Sequence, residues 1–146
     1  MTDYTLVPEP PALDDYLRLR QEAGLSPKRP EQAAGALANS WTFCHLRSAG
    51  GEVVAMGRII GDGGWYFHVS DIATHPDHQR LGLGRRVMEW LIAQVEERAP
   101  VGASITLMAD PPGIALYRSL GFLAADPGLG MMMRTAEREN AAGESA

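Results

Sequence analysis

At 146 residues, with 45% hydrophobic and 21% charged side chains, the chain has the size and composition of one globular domain. A wholly disordered chain, a collagen-like repeat and a disulfide framework are excluded, the last because Cys44 is the only cysteine. With 13 Lys and Arg against 18 Asp and Glu, the formal net charge is −5, which offers no basic surplus for nucleic acid or a membrane surface.

The N-terminal MTDYTLVPEPPALDDY has neither a basic start nor a long apolar run, so no signal peptide is expected. No stretch approaches the roughly 20 apolar residues of a membrane span. The expectation is a cytoplasmic protein. A short strand is predicted over 4–7, ended by Pro8, Pro10 and Pro11. From Ala12 to Ala23, Leu13, Tyr16, Leu17 and Leu19 or Arg20 recur at helical spacing, and Gly24 stops the helix. A second helix is predicted over 30–37, opened by Pro30.

The middle of the chain reads as a meander of strands over 41–47, 53–60 and 65–74, with SAGG and GDGG as turns. The period then changes. Leu83, Val87, Leu91 or Ile92 and Val95 mark one face of a helix that Pro100 closes. A strand over 104–109, a helix from Pro111 to Leu120 capped by Gly121, and short strands at 122–125 and 131–134 complete the order. The result is an α+β domain on one mixed, mostly antiparallel sheet, with a strand–helix–strand crossover in its second half. The domain is expected over 1–135, and the polar tail 136–146 is expected to fray.

The segment Gln79–Arg86, QRLGLGRR, follows a strong strand and opens the best amphipathic helix. Glycines at 82 and 84 let backbone approach a ligand, and the first amides of a helix point outward unpaired with the positive end of its dipole behind them. That is an anion site suited to phosphate, reinforced by Arg80, Arg85 and Arg86. The Walker pattern is absent. The dinucleotide fingerprint fails too, since position 87 is Val where a third glycine or alanine is required.

Two blocks in order, IATHPDHQRLGLG (72–84) and ALYRSLGF (115–122), resemble the Gcn5-related N-acetyltransferases. The resemblance covers about residues 4–134. It implies that acetyl-CoA is the acyl donor. Its pyrophosphate would rest on Gln79, Arg80, Leu81, Gly82, Leu83, Gly84 and Arg85. Its pantetheine arm would pair with the backbone of Ile72, Ala73 and Thr74, where this strand splays from the next, and the Ile72 amide would polarise the thioester carbonyl. Tyr117 occupies the position of the general acid, and His68 resembles the position of the base in some branches. A water-mediated route or Asp110 are the alternatives to His68. The family's usual asparagine after the fifth strand is replaced by ADPPGIA, and Gly113 is expected to leave room near the cofactor. Homodimers through the C-terminal strands are also common in the family, which would give Met131–Met133 a partner.

By strict alternation His68 shares a face with Ser70, Ile72 and Thr74, and Asp71 points away. His75 and His78 are expected in an exposed loop, and with Asp77 they do not make a metal site. Cys44 is expected to be a small buried hydrophobe. The acidic Asp14, Asp15 and Glu22 and the aromatic Trp65, Tyr66 and Phe67 suggest an acceptor site for a small cationic amine. The expected function is acetyl transfer to a primary amine of a small molecule in a ternary complex. Acetylation of a protein lysine or N-terminal amine is the alternative. A non-catalytic acyl-CoA sensor is the alternative of another class.

Overall fold

A computed structural model of the chain describes residues 3–125 and 131–134. The elements in order are β1 (Thr5–Val7), α1 (Leu13–Glu22), α2 (Pro30–Asn39), β2 (Thr42–Arg47), β3 (Val53–Gly61), β4 (Tyr66–Thr74), α3 (Leu83–Arg98), β5 (Ser104–Leu107) and α4 (Ile114–Ser119), with single 3-10 turns at Pro76–His78 and Pro111–Gly113. The five strands form one sheet in sequence order, β1-β2-β3-β4-β5. The first three pairings are antiparallel, and β5 joins β4 in parallel after the α3 crossover. No helix among the described residues is long and apolar enough to cross a membrane.

Two cores sandwich the sheet. Val87, Met88, Leu91 and Val95 of α3 pack on Cys44, Leu46, Ile59, Phe67 and Val69. On the other face Tyr16 and Leu19 of α1 and Ala33 of α2 cover Phe43, Val53, Met56 and Ala73. β3 is covered on both faces, which is why VVAMGRII is a continuous apolar run broken only by Gly57 and Arg58. Gly57 marks the closest approach of α3. A Cβ there would stand 2.5 Å from Ile72 Cδ1 and 2.6 Å from Val87 Cγ1. Cys44 lies in this core, and burial pushes its thiol up to about 12, so it behaves as the expected hydrophobe.

β4 departs from strict alternation. Asp71 has φ of +57°, and the β3–β4 register shifts between Met56 and Arg58. This is a bulge, and it re-aims every side chain after it. Phe67, Val69 and Ile72 face α3, whereas Asp71 and Ala73 face α1 and α2. The expectation that Asp71 points away from the His68 face is therefore corrected, because one extra residue inverts a period of two.

The C-terminal strands differ as well. Neither 122–125 nor 131–134 takes strand structure, and β5 ends at Leu107 rather than 109. Gly121, at φ +101°, turns the chain back so that the Phe122 N–H donates to the Tyr117 carbonyl at 3.1 Å. The Phe122 ring then packs edge-on against Tyr117 instead of extending along β5. Residues 122–125 wall a cavity of about 330 Å³ beside β5. Leu123 is 92% exposed, as are Met131 and Met133 at 92% and 90%. Residues 126–130, which link the two predicted strands, and the tail 136–146 lie outside the described residues.

Candidate active site

The sheet opens where β4 and β5 part. Their pairing runs only from Tyr66–Ser104 to Val69–Leu107. Beyond it, Ser70 to Thr74 remain alongside β3 on one side and face no strand among the described residues on the other. This open edge carries the backbone of Ile72, Ala73 and Thr74. The Gln79 amide reaches back to donate to the Thr74 carbonyl at 3.2 Å, so the side chain closes the end of the edge.

The glycine loop follows. Gly82 is the N-cap of α3 at φ +79° and ψ +13°, a left-handed conformation that glycine adopts without strain. The first bond of the helix runs from the Arg86 N–H to the Gly82 carbonyl. The amides of Leu83, Gly84 and Arg85 therefore have no helical acceptor and point out of the N-terminus. Gly84 is not demanded by the fold, since a Cβ there would meet only Leu116 at 3.6 Å and Thr74 at 4.0 Å, both ordinary contacts. The cradle, the open β4 edge and two flanking arginines fit an extended amide chain ending in a pyrophosphate. Arg85 is held over the loop by a 2.5 Å bond to Ser119 Oγ. Arg80, at φ +64°, sits in the connector.

A cleft of about 240 Å³ lies at the parting of the strands, lined among others by His68, Ser70, Asp71, Ile72, Asp110 and Tyr117. The two predicted catalytic side chains are thus brought together from β4 and α4. Thr106 on β5 stands opposite His68, with Oγ1 at 2.9 Å from His68 Nδ1, 3.1 Å from the Tyr66 hydroxyl and 3.4 Å from the Phe67 carbonyl. When the Thr106 hydroxyl donates to the Phe67 carbonyl or the Tyr66 oxygen, its own oxygen accepts from His68 Nδ1–H. Nε2 then carries the lone pair. Burial first, and the Arg58 guanidinium second, lower the His68 pKa and keep the ring neutral.

Tyr117 is half-buried. Burial first, then the Asp110 carboxylate, raise its phenol pKa, so the proton stays on the oxygen at neutral pH. The space beside Gly113 is taken by this ring, not left open. A Cβ at 113 would stand 2.7 Å from Tyr117 Cε2 and 3.1 Å from its hydroxyl.

Several expected site residues lie elsewhere. Asp15 and Glu22 pair with Arg18, and none of Asp14, Asp15 and Glu22 lines the cleft. Phe67 is core, and Trp65 is a 64% exposed hairpin residue packed edge-on against Tyr66. His75 and His78 are half-buried, His75 against Glu22 at 3.4 Å and His78 bonded to the Tyr4 hydroxyl at 2.7 Å. The residues that pattern reading missed are Thr106 and a buried cluster on Asp71. Both Asp71 oxygens are taken, by Arg20 and by Arg58 Nε and the Tyr16 hydroxyl. Burial first, then this bond, pushes the Tyr16 phenol up to about 12. The available signals were Arg20, four residues after Tyr16 on the apolar stripe of α1, and Arg58 inside an apolar strand.

The description "Acetyltransferase (GNAT) family" matches residues 10–122 of the chain. The chain belongs to the GNAT family. Serotonin N-acetyltransferase 2, chloroplastic, of Oryza sativa subsp. japonica is 37% identical over 107 residues, which are 71% of this chain and 52% of that protein. A probable acetyltransferase from meticillin-resistant Staphylococcus aureus has a solved structure that superposes with a TM-score of 0.85 at 31% identity, covering 92% of this chain and 100% of that one. The ribosomal-protein-S18-alanine N-acetyltransferase from Escherichia coli superposes with a TM-score of 0.72 at 27% identity, over 84% of this chain and 79% of that one. The chain spans about half the length of the curated relatives it matches. The GNAT fold uses acetyl-CoA, and this GNAT domain presents both the free strand edge and the amide cradle.

Proposed function

We propose that this chain transfers an acetyl group from acetyl-CoA to the primary amine of a small molecule. The observation that carries the reading is the convergence of His68, Asp110 and Tyr117 in one cleft that opens beside the unpaired edge of β4 and the unpaired amides of α3. Acetyl-CoA, when bound, supplies an acetyl thioester. The amides of Leu83 to Arg85, with Gln79, Arg80, Leu81 and Gly82 shaping the loop, hold its pyrophosphate. The edge from Ile72 to Thr74 pairs with its pantetheine arm as an added strand. The Ile72 amide polarises the thioester carbonyl.

His68 Nε2 takes the proton that the acceptor nitrogen must lose to form the new C–N bond. Thr106 fixes the tautomer that makes this nitrogen the acceptor. As the C–S bond breaks, the Tyr117 hydroxyl gives its proton to the sulfur, and the Asp110 carboxylate beside it steadies the phenol in its protonated form until then. A small acceptor is supported by a pocket of about 370 Å³ lined from α1, α2, β3 and β4.

Calorimetric titration with acetyl-CoA, beside a Gly82→Glu, Gly84→Glu variant, tests the cradle. CoA release over a panel of amines, with Tyr117→Phe and His68→Ala, tests the chemistry. Binding in the wild type that is lost in the double variant, and transfer that falls in both point variants, is expected. No binding of acetyl-CoA refutes the reading.

A further inference from the structure

A second pocket of about 370 Å³ adjoins the reaction cleft, and the two share Ser70 and Asp71 at the bulge of β4. Its charge is one-sided. Arg20, Lys28 and Arg58 face it, and Asp71 is the single carboxylate. That carboxylate is already spent, one oxygen on Arg20 and the other on Arg58 Nε and the Tyr16 hydroxyl. Arg20 is spent too, since its Nε and Nη2 donate to the Ser26 carbonyl at 3.2 and 2.6 Å. Arg58 is not: Nη1 reaches Ser40 Oγ at 3.2 Å, and Nη2 has no acceptor among the described residues. Lys28 likewise has neither an ion pair nor a hydrogen bond among the described residues, and neither does the Ser70 hydroxyl.

The pocket therefore holds surplus positive charge and donors without acceptors, which is the complement of an anion. A cationic or neutral group placed there would leave these donors unpaired, at a cost in binding. Resting on the acetyl-transfer reading above, we infer that this pocket is a subsite for an anionic group, carboxylate or phosphate, carried by the acceptor amine. Arg58 Nη2, Lys28 Nζ and Ser70 Oγ grip the anion while the amine lies at His68. Ser70 stands two residues beyond His68 on the strand, about 6–7 Å away, so amine and anion are separated by a few bonds. The acceptor is a short amino acid or aminoalkyl phosphate, not a plain aryl or alkyl amine. The walls of the pocket also reverse the expectation from the acidic residues of α1, which face Arg18 and solvent instead.

The test separates the subsite from the chemistry. The full chain with CoA bound is titrated with two amine-free probes, glutarate and inorganic phosphate, followed by amide chemical shifts of Ser70 and Lys28. In parallel, CoA release is compared for 4-aminobutyrate against butylamine and for 2-aminoethyl phosphate against ethanolamine. One probe is expected to bind, and Lys28→Glu to weaken it at least about tenfold while acetyl-CoA binds as before. The matching anionic amine is expected to react at least about tenfold faster in kcat/KM than its uncharged-tail partner. The responsive arm tells carboxylate from phosphate. Failure of both probes to bind, affinity indifferent to Lys28→Glu, or preference for butylamine or ethanolamine overturns the inference. Lys28-dependent binding of a probe with no transfer to any amine upholds the subsite and refutes the acetyl-transfer reading. Lys28→Gln, which removes the charge without reversing it, guards against a folding artefact of the glutamate.

Discussion

Gly113→Ala is expected to cost catalysis far more than stability. The backbone at 113 is right-handed helical, with φ −93° and ψ −10°, so alanine carries no conformational strain. In a half-buried helix start it removes unfolded-state freedom and contributes roughly 0.5–1 kcal/mol. The three atoms nearest the new methyl all belong to the far end of one side chain, at 2.7 Å from Tyr117 Cε2, 3.0 Å from Cζ and 3.1 Å from the hydroxyl. Carbon atoms settle near 3.5–4.0 Å, so the ring swings outward by about 1 Å. The swing is cheap because one face of the ring borders the open cleft, but it carries the hydroxyl with it. A reacting group displaced by that much loses on the order of 10²-fold in rate. Urea unfolding, acetyl-CoA calorimetry and steady-state CoA release on Gly113→Ala, Tyr117→Phe and the double variant measure the three quantities. The expected pattern is an unfolding midpoint no lower than the wild type's, unchanged acetyl-CoA affinity, kcat lowered in each single variant, and a double variant no worse than Tyr117→Phe. If Gly113→Ala keeps full kcat while Tyr117→Phe loses it, the hydroxyl does not act from the position described. If the two losses multiply, Gly113 acts through something other than Tyr117.

Four further outcomes follow from the same structure. Gly84→Ala is expected to fold normally and Gly84→Glu to fold but bind acetyl-CoA at least about tenfold more weakly, because the fold leaves space at this position that the ligand uses. Calorimetry beside thermal unfolding checks it. The acid limb of kcat/KM is expected below pH 6.5, since His68 must be neutral and its pKa is lowered by burial and then Arg58. Thr106→Val is expected to reduce kcat about tenfold by releasing the His68 tautomer, with the pH profile as readout. His45 is buried at 1% exposure, donates from Nδ1 to the Glu9 carbonyl at 2.8 Å, and leaves Nε2 with no partner among the described residues. Burial lowers its folded pKa below the 6.5 of the unfolded chain, so the unfolded state binds the proton first and stability falls as pH drops below 6.5. His45→Asn keeps a donor at the Nδ1 position and removes the titration. Its urea midpoint is expected to change less than the wild type's between pH 7 and pH 5.

The elements of this domain were legible in the sequence because local signals mark them. Apolar period, Pro30, the GDGG hairpin and the Gly82 and Gly84 loop located the first five strands and all four helices to within a few residues. Tyr117 and His68, chosen by motif resemblance, do meet in one cleft. The last two strands were misread because apolar triplets such as Met131–Met133 satisfy a strand pattern without a ladder to join, and their conformation depends on what β5 offers.

Other features were decided by tertiary structure alone. Strict alternation sent Asp71 to the wrong face, because a bulge is set by how β4 pairs with β3 and not by β4 itself. Arg20, Arg58 and Tyr16 are separated by up to 42 positions in the chain, and no spacing rule joins them until α1 lies across β3 and β4. Thr106 meets His68 only because β5 returns in parallel after α3. Patterns of period and turn residues are local, so the chain by itself determined its elements and its glycine loop. Charge, tautomer and specificity at the site depend on groups distant in sequence, and only packing brings those into contact.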